Sequence, residues 1–400
     1  MKWKEVELGT VVHKIIGGGT PSKSKPEYWN GDIYWASVKD MKEGRFQLPE
    51  TKDTITELGV QNSSTNVIPT ETIITSTRMG LGRAFINLNP MAINQDLKAI
   101  FPNSDIKKKF LLWALISKAK NIEAIGRGST VKGIRVEDLK AVKIPLPPLH
   151  IQQKIASILS AYDNLIENNL RRIELLEQSA RELYKEWFVR FKFPGYENIK
   201  FVDGLPEGWE RKKLGEVCKK ISDGTHDTPK PVDVGYYLVT GKNIVNGFID
   251  FSNCYSISED DHKEVMKHCK PEKGDIILSN IGTLGNMTIV SHNFEYSIKN
   301  VAVFKCNSIA ESYYLFYSFN NKYIFDHLLN SSSGTSQKFL SLKILRSFIT
   351  LFPRDEEINN FFHIIDPIYK QKIYLYEQNK LLKQARDLLL PRLMKGEIEI

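Results

Sequence analysis

The run Ile144-Pro145-Leu146-Pro147-Pro148-Leu149-His150-Ile151-Gln152-Gln153 decides how the chain is divided. Its prolines end the preceding strand-like pattern, because each removes a backbone donor and fixes φ. Behind them about 40 residues follow without Pro or Gly, which predicts one long helix. Within it Ile155, Leu159, Tyr162, Ile166, Asn169, Ile173, Leu176, Ala180, Leu183 and Trp187 alternate steps of four and three, a mean of 3.5. That spacing keeps one stripe facing a partner helix, and Asn169 is its one polar member. A helix of about 40 residues is a rod of roughly 60 Å.

The partner comes from an internal repeat. Trp3-x4-Leu8-Gly9 returns as Trp209-x4-Leu214-Gly215, and Thr20-Pro21 as Thr228-Pro229. Ile73-Ile74-x-Ser76-x5-Gly82 returns as Ile276-Ile277-x-Ser279-x5-Gly285, and Pro147 as Pro353. The offset is 206 at the tryptophans, 208 at the Thr-Pro pair, 203 in the middle and 206 again at Pro147, so loops absorb small length differences. Phe361, Ile368, Leu375, Leu382 and Leu389 repeat every seven residues, 206 beyond Ile155, Tyr162, Asn169, Leu176 and Leu183, and form the second stripe. A buried Asn169 opposite Leu would set register at a cost in stability; a solvated polar position in an imperfect seam is the other reading. Pro391 and Gly396 are expected to end the second helix.

The expected order is a globular part over 1–148, a helix over 149–190, an aromatic connector over 191–208, a second globular part over 209–353 and a second helix over 354–395. Short β-rich runs and Gly, Pro and Asn turn signals make each globular part α+β. The fold class is therefore α+β: two globular domains separated by two long helices, with an internal pseudo-twofold repeat. An antiparallel coiled coil is the more economical closure for a connector of about 18 residues.

Length and composition set the outer limits. The 400 residues are 42% hydrophobic and 10% aromatic, enough to bury real cores and to exclude a disordered chain. No run of about 18 apolar residues occurs, so neither a membrane span nor a signal peptide is predicted, and a cytoplasmic chain is expected. Cys218, Cys254, Cys269 and Cys306 form no Cys-x-x-Cys pair and read as buried free thiols. The net charge of +8 is concentrated early: residues 1–150 carry 22 Lys plus Arg against 15 Asp plus Glu. That asymmetry fits a polyanion such as nucleic acid.

Catalytic signatures are missing. There is no Gly-x4-Gly-Lys-Ser/Thr loop, and Asn89-Pro90-Met91 stops short of a methyltransferase Asn-Pro-Pro-aromatic run. A nuclease-like Asp40-x9-Glu50-x-Lys52 can be drawn, but its repeat partners are Asn243, Asn253 and Tyr255. His262, His268 and Cys269 are the nearest approach to a metal cluster and read as core or surface residues, so no metal site is assigned.

What remains are glycine-punctuated polar loops at matching places. The first set holds Lys39, Thr77, Arg78, Arg83, Arg127, Ser129, Thr130 and Lys132; the second holds Lys242, Asn243, Asn280, Asn286, Thr335, Gln337 and Lys338. Arg suits phosphates and guanine, and Asn suits adenine. These residues are the DNA-binding candidates. Gln152 and Gln153, with the two heptad stripes, are the candidates for helix and subunit packing.

Together, Trp3-x4-Leu8-Gly9, Gly18-Gly19-Thr20-Pro21, Tyr34-Trp35-x-Ser37 and the run from Ile144 through Gln152-Gln153-Lys154-Ile155 resemble the DNA specificity subunit of type I restriction-modification systems. The resemblance spans nearly the whole chain. It implies two target-recognition domains, each reading half of a bipartite asymmetric double-stranded DNA target, with the helices setting the spacer. It also implies two modification subunits carrying S-adenosylmethionine and motor-nuclease restriction subunits using ATP and Mg, leaving no active site or cofactor in this chain. Leu351-Phe352-Pro353-Arg354-Asp355-Glu356-Glu357 departs from the family's proline-rich opening and double Gln. The alternatives are a protein-interaction scaffold with a coiled-coil rod, and an inactive or phase-variable specificity allele.

Overall fold

The computed structural model describes residues 3–42, 44–128, 131–332 and 339–400. The chain forms two compact units, Met1–Leu170 with Glu377–Ile400, and Arg171–Tyr376. Each unit therefore owns one globular part together with a segment of both long helices.

In the first unit a five-stranded sheet runs in the order Val12–Gly17, Leu97–Pro102, Ile73–Ser76, Ala84–Asn87, Gln47–Leu48. Its central strands are apolar at consecutive positions because both faces are covered. Ile73, Ile86 and Ile100 enter one core with the buried helix Lys108–Ser117, while Ile74, Phe85 and Ala99 enter a second core on the opposite face. A four-stranded sheet, Asp53–Ile55, Trp29–Ala36, Met91–Ile93, Asn66–Ile68, stands beside it, with Trp29–Ala36 parallel to Met91–Ile93.

The second unit repeats this plan. Cys218–Asp223, Val301–Cys306, Ile276–Ser279 and Met287–Ile289 form its antiparallel sheet, and Ile276 and Ile277 again face different cores. Tyr255–Ile257, Tyr236–Thr240 and Ser297–Lys299 form the second sheet, with Tyr236–Thr240 parallel to Ser297–Lys299. The strand leading into each long helix closes against the unit's first strand, Lys143–Pro145 on Glu5–Glu7 and Ile349–Phe352 on Glu210–Lys213. All four cysteines are free: Cys218 and Cys269 are buried, and Cys254 and Cys306 are half-buried.

The first long helix is Leu149–Tyr184, extended by a π turn over Lys185–Val189. The last helix is Asp355–Lys395. It runs through Pro367 and Pro391, so Pro391 does not end it. The stop comes at Gly396, whose φ of 70° suits a left-handed C-terminal residue; its N–H and that of Glu397 return to the carbonyls of Leu393 and Arg392 at 3.1 and 2.9 Å.

Within each unit the helix segments run antiparallel. In the first, Asp163 pairs with Arg386 at 3.1 Å and Asn169 with Asn379 at 3.0 Å. In the second, Glu177 pairs with Lys372, and the rings of Tyr184 and Phe361 lie 6.1 Å apart. Antiparallel pairing corrects the expected facing of Asn169 and Leu375. Asn169 is buried and hydrogen-bonded, so it is not a solvated gap in the seam.

The buried stripe is also more polar than the heptads suggest. Ile155, Phe361 and Leu375 are buried, whereas Tyr162, Leu176, Leu183, Ile368, Leu382 and Leu389 are half-buried. Lys372 and Arg386 of the last helix are buried as well. Their cations lie over aromatic rings, Arg386 at 4.6 Å from Phe46 and Lys372 at 4.9 Å from Tyr369, which helps a paired buried charge persist. Gln152 is buried as well: it accepts from the Lys107 N–H at 2.8 Å and donates to the carbonyls of Asp105 and Pro147, fastening the helix start to its own globular part. Gln153 is exposed.

Candidate nucleic-acid interface

The chain between Ile73–Ser76 and Ala84–Asn87 turns through Thr77–Arg83. Met79, Gly80 and Gly82 take positive φ of 53, 81 and 81°. Gly82 has no room for a side chain, since a Cβ would stand 2.5 Å from the carbonyl oxygen of Ala119. The Ser76 hydroxyl fixes the tip by donating to the carbonyls of Arg78 and Met79 at 2.5 and 3.0 Å.

Three further segments are tied to this hairpin. Residues 126–128 and 131–135 come alongside it: Arg127 and Gly133 exchange two 2.9 Å bonds, and the Ile134 N–H donates to the Thr77 carbonyl at 2.9 Å. The turn bearing Lys39 is held by Arg83, whose guanidinium donates to the Met41 carbonyl at 3.0 Å. The Asn94–Asp96 loop receives the Thr77 N–H at 2.8 Å, and its Asp96 lies 3.8 Å from Arg78. Lys98 supports that loop from its base by donating to the Gln95 carbonyl at 2.8 Å; partial burial lowers its pKa, opposed by Asp96.

The structure thus gathers Lys39, Arg78, Arg83, Arg127 and Lys132 around one hairpin, all exposed. Thr77 is buried, and its hydroxyl donates to the Asp96 carbonyl. Ser129 and Thr130 lie outside the described residues.

The second unit assembles the same frame with different side chains. The Leu340 N–H donates to the Asn280 carbonyl at 3.0 Å, as Ile134 does to Thr77. Asn286 donates to the Gly241 carbonyl at 3.0 Å, performing the tie that Arg83 makes in the first unit. Lys242 is exposed at the turn tip, in the place of Lys39. Asn243 and Asn280 are buried: Asn243 accepts from the N–H and hydroxyl of Thr240, both at 2.8 Å, and Asn280 donates to the Leu340 carbonyl. These two carboxamides hold loops in place. Thr335, Gln337 and Lys338 lie outside the described residues.

The cap at Asn243 also explains Asp40, its repeat partner. Asp40 accepts from the N–H and hydroxyl of Ser37 at 2.8 and 2.9 Å and from the Lys52 N–H at 3.1 Å. Asp40 therefore clasps the loop through Ser37 and the Lys52 backbone. His262 stacks on Tyr236 at 3.8 Å and bonds Ser297 at 2.9 Å, and burial lowers its pKa. Among the described residues no group of three His, Cys, Asp or Glu side chains is placed to hold a metal ion, and no helix is long and apolar enough to cross a membrane.

One pair of contacts escaped the sequence reading. The Thr20 hydroxyl donates to the Gln95 side-chain oxygen at 2.5 Å, and His226 Nδ1 meets the Asn300 side-chain oxygen at 2.9 Å. Gly19 bonds the Ile93 carbonyl as Thr225 bonds that of Ile298, so the structural counterpart of Thr20 is His226 rather than Thr228. The repeated Thr-Pro had pointed two residues too far along the loop.

Both copies of this architecture match one protein family. The family described as "Type I restriction modification DNA specificity domain" matches residues 1–178 and 206–384. The chain is 28% identical over 423 residues to the type I restriction enzyme MjaIX specificity subunit of Methanocaldococcus jannaschii, covering 100% of this chain and 97% of that one. It is 36% identical over 211 residues to the EcoR124I/EcoR124II specificity subunit of Escherichia coli, covering 50% of each. Its fold matches the crystal structure of a type I restriction-modification S subunit from M. genitalium with a TM-score of 0.60 at 17% identity, over 98% of this chain and 96% of that one. The chain therefore belongs to the family of DNA specificity subunits of type I restriction-modification systems.

Proposed function

We propose that each unit reads one half of a bipartite, asymmetric double-stranded DNA target through the loops gathered at its hairpin. The observation that carries this reading is the duplicated frame with unlike side chains. Arg83 and Asn286 tie the same two segments, Lys39 and Lys242 stand at the same turn tip, and Arg78 has Ile281 in its place. Equal frames place loops at equal positions on a duplex, and unequal side chains read different bases.

In this reading the first unit leans on cations for phosphate contact, while the second uses Lys242 with neutral donors. The helices set the spacer between half-sites and dock two modification subunits, which bring S-adenosylmethionine, and motor-nuclease restriction subunits, which bring ATP and Mg. The chain itself contributes recognition and no catalytic group. Gln152 anchors the first helix internally, whereas Ile358 fills its repeat position in the second, which supports unequal docking at the two helix starts.

The test is selection of bound duplexes from a random DNA pool by the chain assembled with its modification subunit. Enrichment of two short elements at a constant separation supports the reading. A contiguous element, or no enrichment, overturns it.

A further inference from the structure

We propose that Gln95 and Asn300 are specificity-determining residues, each presenting one fixed amide donor to a base edge of its own unit's half-site. This rests on the proposed reading of the units as DNA readers and names a pair of residues within it.

The two carboxamides occupy loops at the same step of the strand order in their units. Each loop follows the strand parallel to its unit's second-sheet partner and precedes the strand beginning at Leu97 or Val301. Counted from the equivalent residues Ile93 and Ile298 to Leu97 and Val301, the second unit is one residue shorter, and Asn300 reaches its place with a positive φ of 52°. That left-handed conformation is one that Asn tolerates better than most residues.

In both units one end of the carboxamide is held by a side chain from the segment after the first sheet strand. Thr20 holds Gln95, and His226 holds Asn300. His226 is itself braced by Asp223 at 3.2 Å. The segment lies close against the strand behind it: a Cβ on Gly18 would stand 1.8 Å from the Ile93 oxygen, and one on Gly224 2.1 Å from the Ile298 oxygen. The holding residue is therefore positioned by backbone contact in each copy.

The Gln95 oxygen accepts from the Thr20 hydroxyl and the Asn300 oxygen faces His226 Nδ1, and neither NH2 group has a hydrogen-bond partner among the described residues. Gln95 is exposed and Asn300 half-buried. Each adjoins its unit's hairpin, through Asp96 beside Arg78 in the first unit and through the Ser279–Val301 pairing beside Asn280 in the second. An amide whose oxygen is tied presents its NH2 as a donor of set direction, suited to a purine N7, guanine O6 or thymine O4 in the major groove.

The experiment repeats the random-duplex selection with Gln95→Glu and Asn300→Asp, each assembled with the modification subunit. Both replace the donor by a carboxylate of the same shape, so folding is preserved, and thermal melting verifies it. Gln95→Glu is expected to change preference at one base of one half-site and to lower affinity for the wild-type duplex by roughly 5- to 150-fold; Asn300→Asp does the same in the other half-site. An unchanged motif from a folded variant overturns the proposal for that residue, as does a uniform loss with no change in base preference, which marks a phosphate contact. The wild-type selection in the same experiment reports separately on the reading of the units as DNA readers.

Discussion

Asn169 donates to the side-chain oxygen of Asn379 at 3.0 Å, although the 206-residue repeat assigns Leu375 to its position. Both residues are buried, and Asn379 in turn donates to the Ile166 carbonyl at 3.2 Å. Replacing Asn169 alone by Leu leaves the buried side-chain oxygen of Asn379 without the donor it has here. The expected loss is about 1–3 kcal/mol in chemical denaturation. Asn169→Leu with Asn379→Leu removes both polar groups and is expected to recover most of that loss, because a paired apolar replacement leaves nothing unsatisfied. A double variant no better than the single one contradicts the pairing.

Glu177 and Lys372 are unequal partners. Lys372 is almost wholly buried, and burial lowers its pKa, with Glu177 opposing. Glu177→Ala leaves that ammonium without its counter-charge and is expected to cost about 3–5 kcal/mol, whereas Lys372→Met keeps the volume and costs much less. Melts of the two variants check the order, and the reverse order sinks it.

Asp163 gives the first unit a pH dependence. Burial pushes its carboxyl up to about 6; Arg386 and a hydrogen bond from Gln47 pull it down, and Glu167 adds to the rise. The folded state therefore holds this proton more tightly than the unfolded chain. The resulting stability is full below pH about 4 and is lost as pH rises through about 6, with a ceiling near 3 kcal/mol. Asp163→Asn has no such proton, so the wild type should lose stability relative to the variant across that window. Parallel stability curves contradict the assignment.

Arg78 tests the phosphate side of the interface. It is exposed and only loosely paired with Asp96 at 3.8 Å. Arg78→Ala is expected to leave the melt unchanged and to lower DNA affinity, with the slope of log affinity against log salt falling by about 1 if the contact is to phosphate. An unaltered affinity across the salt titration argues against a contact there.

The repeat was legible because glycines, prolines and tryptophans at turns and strand starts keep fixed spacing, and the long helices because Pro and Gly are absent where the apolar stripe runs. Partnering across the fold was harder to read. Asp40 and Asn243 look like chemistry in one dimension, yet both close a turn three residues back. Arg83 and Asn286 look like base readers in one dimension, and the fold gives each of them a loop to tie as well. Lys372 and Arg386 sit off the Leu heptads, so a pattern built on apolar residues passes over the buried charges. Pro391 lies inside a helix because packing of Leu390, Leu393 and Met394 into the first unit's core outweighs one lost hydrogen bond. Gln95 and Asn300 carry no local signal at all, since each is defined by a partner about 75 residues away.

The most direct test of the central claim is to map methylated adenines across the genome of a host expressing this chain with its modification subunit. The account predicts a single motif with two fixed elements, different from each other, separated by an unread gap of constant length. A contiguous motif, or two identical elements, would contradict a division of reading between the two units.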